Sequence, residues 1–177
     1  MNKTKKLVFA AVLTAMSIIL LYIPFLRFPI FAAAPFLEYD AMDVPILIAA
    51  LFMGIKGGLA VTLVSCVIQG ITVSSSSGIY GIIMHFIATG GFVAGTALMM
   101  KLTRKKVLPS LLAGVAAMVL ITIPANLIVT PLFMGVSRQV VLSMLPTVFI
   151  PFNLVKASIN AAVTFLVWLP LKKANLN

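Results

Sequence analysis

Acidic residues are nearly missing from this chain. Asp and Glu together number 3 in 177 residues, and all of them, Glu38, Asp40 and Asp43, fall in one short stretch. No apolar run contains a pair of carboxylates, so paired-acid catalysis has no groups to work with. The single cysteine, Cys66, cannot form an internal disulfide. One histidine, one cysteine and three clustered acids do not compose a metal site, and none is expected. No Ser-His-Asp set, phosphate loop or nucleotide motif is present either, so no catalytic residues are expected. Charged residues make up only 9%, where a soluble domain carries about 25%. That excludes a water-soluble globule.

What fills the chain instead is hydrocarbon. Hydrophobic residues reach 62%, and the mean hydropathy is +1.21. A membrane span takes about 20 apolar residues, so this length holds about six with short connections. The expectation is an all-α integral membrane protein of six transmembrane helices, with residues 1–177 forming one membrane domain. The net charge of +10 would suggest nucleic acid in a soluble protein. Here the cations sit in short clusters between apolar runs, which is how membrane topology is written. The lipid bilayer, and no nucleic acid, is the expected surrounding.

Spans are expected at 7–23, at 43–53 (short), twice within the 57–100 run that lacks Asp, Glu, Lys and Arg, at 107–128 with Pro124 as a kink, and at 148–171. The tract Ser74-Ser75-Ser76-Ser77-Gly78 is the expected turn between the third and fourth. Prolines 24, 29 and 35 make 24–41 a long connection, and 131–147 reads as another, with room for a short helix. Lys3, Lys5 and Lys6 before an apolar stretch imitate a signal peptide with Ala32-Ala33-Ala34 as its cleavage site. Arg27 and the intervening prolines favour a retained first helix.

With the N-terminus inside and six crossings, Lys3, Lys5, Lys6, Lys56, Lys101, Arg104, Lys105, Lys106, Lys172 and Lys173 fall inside, and only Arg27 and Arg138 outside. This strong positive-inside bias makes both termini cytoplasmic. The three acids fall outside, and Lys156 is left within the last span.

Polar residues inside spans carry the functional information in so apolar a chain. A lysine at depth costs roughly 2.5–3.5 kcal/mol on insertion scales, so Lys156 is expected to face a cavity in preference to snorkelling outward. Asn153, Lys156 and Asn160 are spaced i, i+3, i+7 and share one helix face. Asn160, the deepest, reads as interhelical glue, and Asn153 as a ligand contact. For Asn126, beside Pro124, glue and ligand contact stand equal. Gln69 and the His85–Thr89 pair lie in the outer halves of their helices. Polar groups from four helices at one depth describe an outward-opening pocket with apolar walls. Asp43, ahead of Val44-Pro45, reads as a helix N-cap. Asp40 and Tyr39, in the preceding loop, are placed to close over a ligand.

These residues resemble a known family. Six short spans, the stretch Pro35-Phe36-Leu37-Glu38-Tyr39-Asp40-Ala41-Met42-Asp43-Val44-Pro45, Phe86-Ile87-Ala88-Thr89-Gly90, Asn126 ahead of Pro131-Leu132-Phe133, and Ile150-Pro151-Phe152-Asn153-Leu154-Val155-Lys156 are similar to the substrate-binding S components of energy-coupling factor (ECF) vitamin transporters. The riboflavin-specific S components are the most similar. The resemblance implies the six-helix S-component fold, with the vitamin held beneath the first long loop. It places Asn126, Asn153 and Lys156 on the flavin, with Leu37, Tyr39, Asp40 and Thr89 near it. It puts Ala11 and Ala15 on the surface that docks a transmembrane coupling subunit. Two ATPase subunits, a prokaryotic plasma membrane and delivery of the vitamin inward by toppling are implied as well. Riboflavin would be cargo, and no cofactor is implied. Ser65, Cys66, Gln69, His85 and the serine turn depart from the family's usual residues around the pocket, which leaves another vitamin or a flavin analogue open as ligand. A small lipid-modifying enzyme is the remaining alternative, and it lacks acids at the inner face.

Overall fold

The computed structural model describes residues 2–31 and 34–173; the alanines at 32–33, weighed above as part of a cleavage site, lie outside them. Helix α1 runs Lys3–Leu21, and Asn2 caps it by accepting the Lys5 amide at 2.9 Å. A 3-10 turn at Pro24–Leu26 leads into strand β1, Arg27–Pro29, which pairs antiparallel with β2, Glu38–Asp40. The long helices α2 (Asp43–Ile71), α3 (Gly78–Leu102) and α4 (Val107–Met134) follow. The short α5 (Arg138–Met144) passes through a π-helical turn, Leu145–Phe149, into α6 (Ile150–Lys173).

Among the described residues, five helices are long and apolar enough to cross a membrane, counting α2 as one and α5 through α6 as one. The sequence pointed to six. The difference lies at Gly54, where φ is 72° and ψ −166° inside what is otherwise continuous α2. That conformation is nearly glycine-only. The expected second and third spans are therefore two helices that meet at this break and pack against each other, since a Cβ on Gly58 would touch Ala50, with no separate loop at Lys56. The first segment, Asp43 to Leu51, is buried along its whole length. A helix apolar all round belongs inside a bundle, and this one sits among α1, α3 and α6.

Two further expectations shift. The chain is not wholly helical: β1 and β2 form a ribbon in register Arg27↔Asp40, held also by Arg27 Nε donating to Glu38 Oε2 at 2.6 Å. Helix α4 does not stop at 128 but carries both Pro124 and Pro131 and ends at Gly135, whose φ of 67° closes it. The 131–147 region is thus part α4 and part α5.

The tightest packing joins α3 to α4. A Cβ on Gly114 would collide with Thr96 and Phe92 of α3, so glycine there lets the two backbones approach. Phe92, Leu111, Met118, Ala157 and Trp168 form one core cluster around that seam. The charges are segregated by this architecture: Lys101, Arg104, Lys105, Lys106 and Lys172 gather around one cleft, while Glu38 and Asp40 line a cavity formed by other residues.

Candidate ligand-binding site

The cavity under the ribbon encloses about 160 Å³. Its walls come from the ribbon loop, the end of α2, the start of α3, the middle and end of α4, and the start of α6. Phe36, Leu37 and Asp40 contribute from the loop; Cys66 and Gln69 from α2; Tyr80 and His85 from α3; Asn126 and Phe133 from α4; Phe149, Phe152, Asn153 and Lys156 from the α6 region. Of the residues expected at the site, Leu37, Asp40, Gln69, His85, Asn126, Asn153 and Lys156 meet here. Tyr39 and Thr89 do not line the cavity and sit behind its wall.

A buried polar network makes that wall. Lys156 Nζ donates to Asp40 Oδ2 at 2.8 Å, with both side chains nearly solvent-free. Asn160 bridges by donating its amide to the Asp40 carbonyl at 3.0 Å and to Asp43 Oδ2 at 3.2 Å. Tyr39 completes the bridge, its hydroxyl donating to Asn160 Oδ1 at 3.0 Å. Thr89 donates to Asp43 Oδ1 at 2.8 Å, and His85 Nε2 lies 3.5 Å from the same oxygen. Burial, and then the charges of Asp40 and Asp43, push the Tyr39 phenol above its usual pKa. It therefore stays a protonated donor.

Asp43 is the residue most misjudged from sequence. It is fully buried and its carboxylate meets three side chains on two other helices, His85 and Thr89 of α3 and Asn160 of α6, while the N-cap position of α2 is Met42, which makes no capping side-chain bond. An aspartate before a Val-Pro pair signals a cap, and nothing local signals that its carboxylate turns inward. Asn160 is the glue it was expected to be.

The oxygen and nitrogen ligand atoms of Asp40, Asp43 and His85 lie within 4.8 Å of one another, a closeness that sequence counting did not foresee. The donor set does not fit a cation well. Lys156 already supplies a positive charge there, and Thr89, Asn160 and the Met42 amide occupy carboxylate oxygens. The cluster is satisfied internally, as buried polar groups must be.

Hydrogen-bonding capacity remains elsewhere. Asn153 donates once, to the Phe149 carbonyl at 2.8 Å, and Asn126 donates to Thr122 O at 2.7 Å and accepts from Thr130 at 2.9 Å. Each keeps a second amide hydrogen. Gln69 is 7% exposed and makes no side-chain hydrogen bond among the described residues. Aromatic rings frame these amides: Phe36 stands 5.9 Å from Phe133, and Tyr80 stands 6.4 Å from the same ring. Sequence reading singled out none of these rings as site residues, because aromatic residues in membrane helices are common and α4 was expected to end before Phe133.

Ala11 and Ala15 are exposed on α1, on the side away from Leu13, Ser17 and Leu21, which pack inward. They form no part of the cavity.

A multi-helix, membrane-spanning chain with a polar-dotted, ring-framed cavity beneath a loop ribbon is a small-molecule binding protein embedded in the bilayer. The chain belongs to the ECF transporter substrate-specific component family, whose model matches residues 5–168. It is 31% identical to the riboflavin transporter FmnP of Bacillus subtilis over 96% of this chain and 93% of that protein. It is 28% identical to the riboflavin transporter RibU of Streptococcus thermophilus over 97% of this chain and 85% of that one. Among solved structures, the S component of a bacterial ECF transporter superposes with a TM-score of 0.84 at 25% identity, covering 99% of this chain and 100% of that one.

Proposed function

We propose that this chain is a riboflavin-binding S component, which takes up the vitamin from outside a prokaryotic cell and passes it inward without catalysing a reaction itself. A transmembrane coupling subunit and two ATPase subunits would supply the energy. Ala11 and Ala15 would present the docking face to the coupling subunit, since their side of α1 is left uncovered. Six crossings result if α2 is counted as two helices about Gly54, and the gathering of basic residues at one end supports a reading with both termini in the cytoplasm.

The observation that carries this reading is the match between cavity lining and flavin chemistry. A flavin ring system is flat and apolar on its faces and carries alternating carbonyl acceptors and an N–H donor along one edge. The rings of Phe36, Phe133 and Tyr80 suit its faces, and the unspent amide groups of Gln69, Asn126 and Asn153 suit its edge. Lys156, Asp40 and His85 are placed for the polar ribityl chain or a ring carbonyl. The full-length similarity to two riboflavin transporters supports the same ligand.

The cavity of about 160 Å³ is below the roughly 300–1,000 Å³ typical of small-molecule sites. Flavin entry would widen it most readily at Phe36 and Leu37, the wall residues that lie outside both the helices and the ribbon. Titration of the detergent-purified protein with riboflavin, followed by quenching of flavin fluorescence, tests the reading. Saturable quenching near one flavin per chain, weakened at least ten-fold in Asn153→Ala, is expected. Absence of quenching in the folded wild-type protein sinks the ligand assignment while leaving the family untouched.

A further inference from the structure

The opposite end of the bundle carries a second, larger cleft of about 1,140 Å³, between the break in α2, the α3–α4 turn and the end of α6. Lys101, Arg104, Lys105, Lys106 and Lys172 line it, and all are exposed. Its floor is apolar, with Leu51, Phe52, Met100 and Trp168. Among the described residues none of these cations has a carboxylate partner, because Glu38, Asp40 and Asp43 are engaged at the other site.

The backbone of the turn supplies a separate observation. Arg104 has φ 51° and Lys105 has φ 69°, and no other residue than glycine takes positive φ among the described residues. The end of α3 is closed by the Thr103 amide on Met99 O at 2.8 Å and the Lys105 amide on Met100 O at 2.9 Å. A helix closed this way usually has glycine where Arg104 stands. Membrane topology needs only that cations lie in this turn, and Lys101 and Lys106 meet that need with ordinary backbone. Two consecutive cations held in a left-handed conformation, both lining one cleft, indicate that their side chains have a use there.

We propose that this cleft is a binding site for an anionic phospholipid. The headgroup phosphate would sit among Arg104, Lys105 and Lys106, and an acyl chain would lie along the apolar floor beside Trp168. Clustered basic residues beside a membrane-spanning helix recognise such headgroups, and a tryptophan at the helix end suits the same depth. A free phosphate would gain from the cations and nothing from the floor. The proposal does not depend on the ligand of the other cavity.

Native mass spectrometry of the protein from micelles containing equal phosphatidylglycerol and phosphatidylcholine tests it. One retained phosphatidylglycerol, preferred about ten-fold over phosphatidylcholine, is the expected result. In Arg104→Gly/Lys105→Gly, which relaxes the turn, the preference should fall to parity while the lipid-free unfolding temperature holds or rises. Lys101→Gln/Lys172→Gln, with the turn intact, should weaken the preference partway. Equal retention of the two lipids by the wild type overturns the proposal, as does an unchanged preference in the glycine variant. Displacement of the lipid by millimolar inorganic phosphate would show an anion site with no lipid specificity and overturn it too. A glycine variant that keeps its lipid preference but no longer assembles with coupling subunits would make the cleft a protein contact instead.

Discussion

Lys156 in α6 and Asp40 in the ribbon form a buried ion pair at 2.8 Å, so the loop over the cavity is fastened to the last helix by charge. Asp43 lies beside this pair, its ligand oxygen within 4.8 Å of those of Asp40 and His85. The field of the same ammonium therefore reaches a second buried carboxylate. Removing one partner of a buried pair strands the other and costs about 3–5 kcal/mol. Lys156→Met strands two anions and should be the more damaging change. Asp40→Asn leaves Lys156 with Asp43 and should cost less. The double variant Asp40→Asn/Lys156→Met should lose less than the two single losses added together. Unfolding midpoints in detergent for the three variants check the order; additive losses would mean the pair is not coupled.

Asn160 is a different kind of fastening, because it carries no charge and touches Tyr39, Asp40 and Asp43 at once. Tyr39→Phe removes one donor and leaves the Asn160 carbonyl oxygen unpaired, which should cost about 1–3 kcal/mol. Asn160→Leu removes two donors from buried acceptors, one of them a carboxylate, and should cost more than Tyr39→Phe. Since neither residue lines the cavity, riboflavin affinity in Tyr39→Phe should stay within a few-fold of wild type once the protein is folded. A large affinity loss with unchanged stability would place Tyr39 on the ligand.

The i, i+3, i+7 stripe of Asn153, Lys156 and Asn160 was legible from sequence because helix geometry alone puts those positions on one face. Their depth was legible too, because spans can be counted. Their partners were not. The pairing of Lys156 with Asp40 spans 116 positions, and nothing in either neighbourhood encodes it. Asp43 was misread for the reverse reason: its local signal, a carboxylate at a helix start, is real and points to a cap, and tertiary packing overrides it. Gly54 fell between two expected spans, 43–53 and the run from 57, so the direct junction of two helices at this residue had no signal of its own. The positive φ that makes it a break can be seen only in the folded backbone. The basic and acidic ends, by contrast, follow from composition, since charge placement in a membrane chain obeys simple electrostatics.

The break at Gly54 yields its own test. A Cβ at that position meets no atom within 4 Å, so a larger residue does not clash. The cost of Gly54→Ala is purely conformational, about 1–3 kcal/mol for a backbone region closed to residues with a side chain. The unfolding midpoint should fall accordingly. Gly114→Ala fails by collision with the Thr96 hydroxyl and the Phe92 ring instead, so enlarging the space with Thr96→Ala/Phe92→Leu should recover part of the loss. The same two changes should recover nothing in Gly54→Ala. Recovery there would show that Gly54 is constrained by packing.

Cys66 offers the most direct test of where the ligand sits, because it is the only cysteine in the chain and it lines the cavity. Its side chain is 1% exposed and lies on α2 one turn before Gln69. A small neutral maleimide can reach it only through the cavity or by opening of the helix bundle. If riboflavin occupies the cavity, saturating vitamin should slow labelling of Cys66 at least ten-fold relative to the ligand-free protein. Gln69→Ala, which removes a polar group beside the thiol, should weaken that protection at a fixed riboflavin concentration and leave the ligand-free labelling rate nearly the same. Mass spectrometry of the intact protein gives both rates. Equal labelling with and without riboflavin, in a preparation that demonstrably binds it, would place the flavin somewhere other than between α2 and α6.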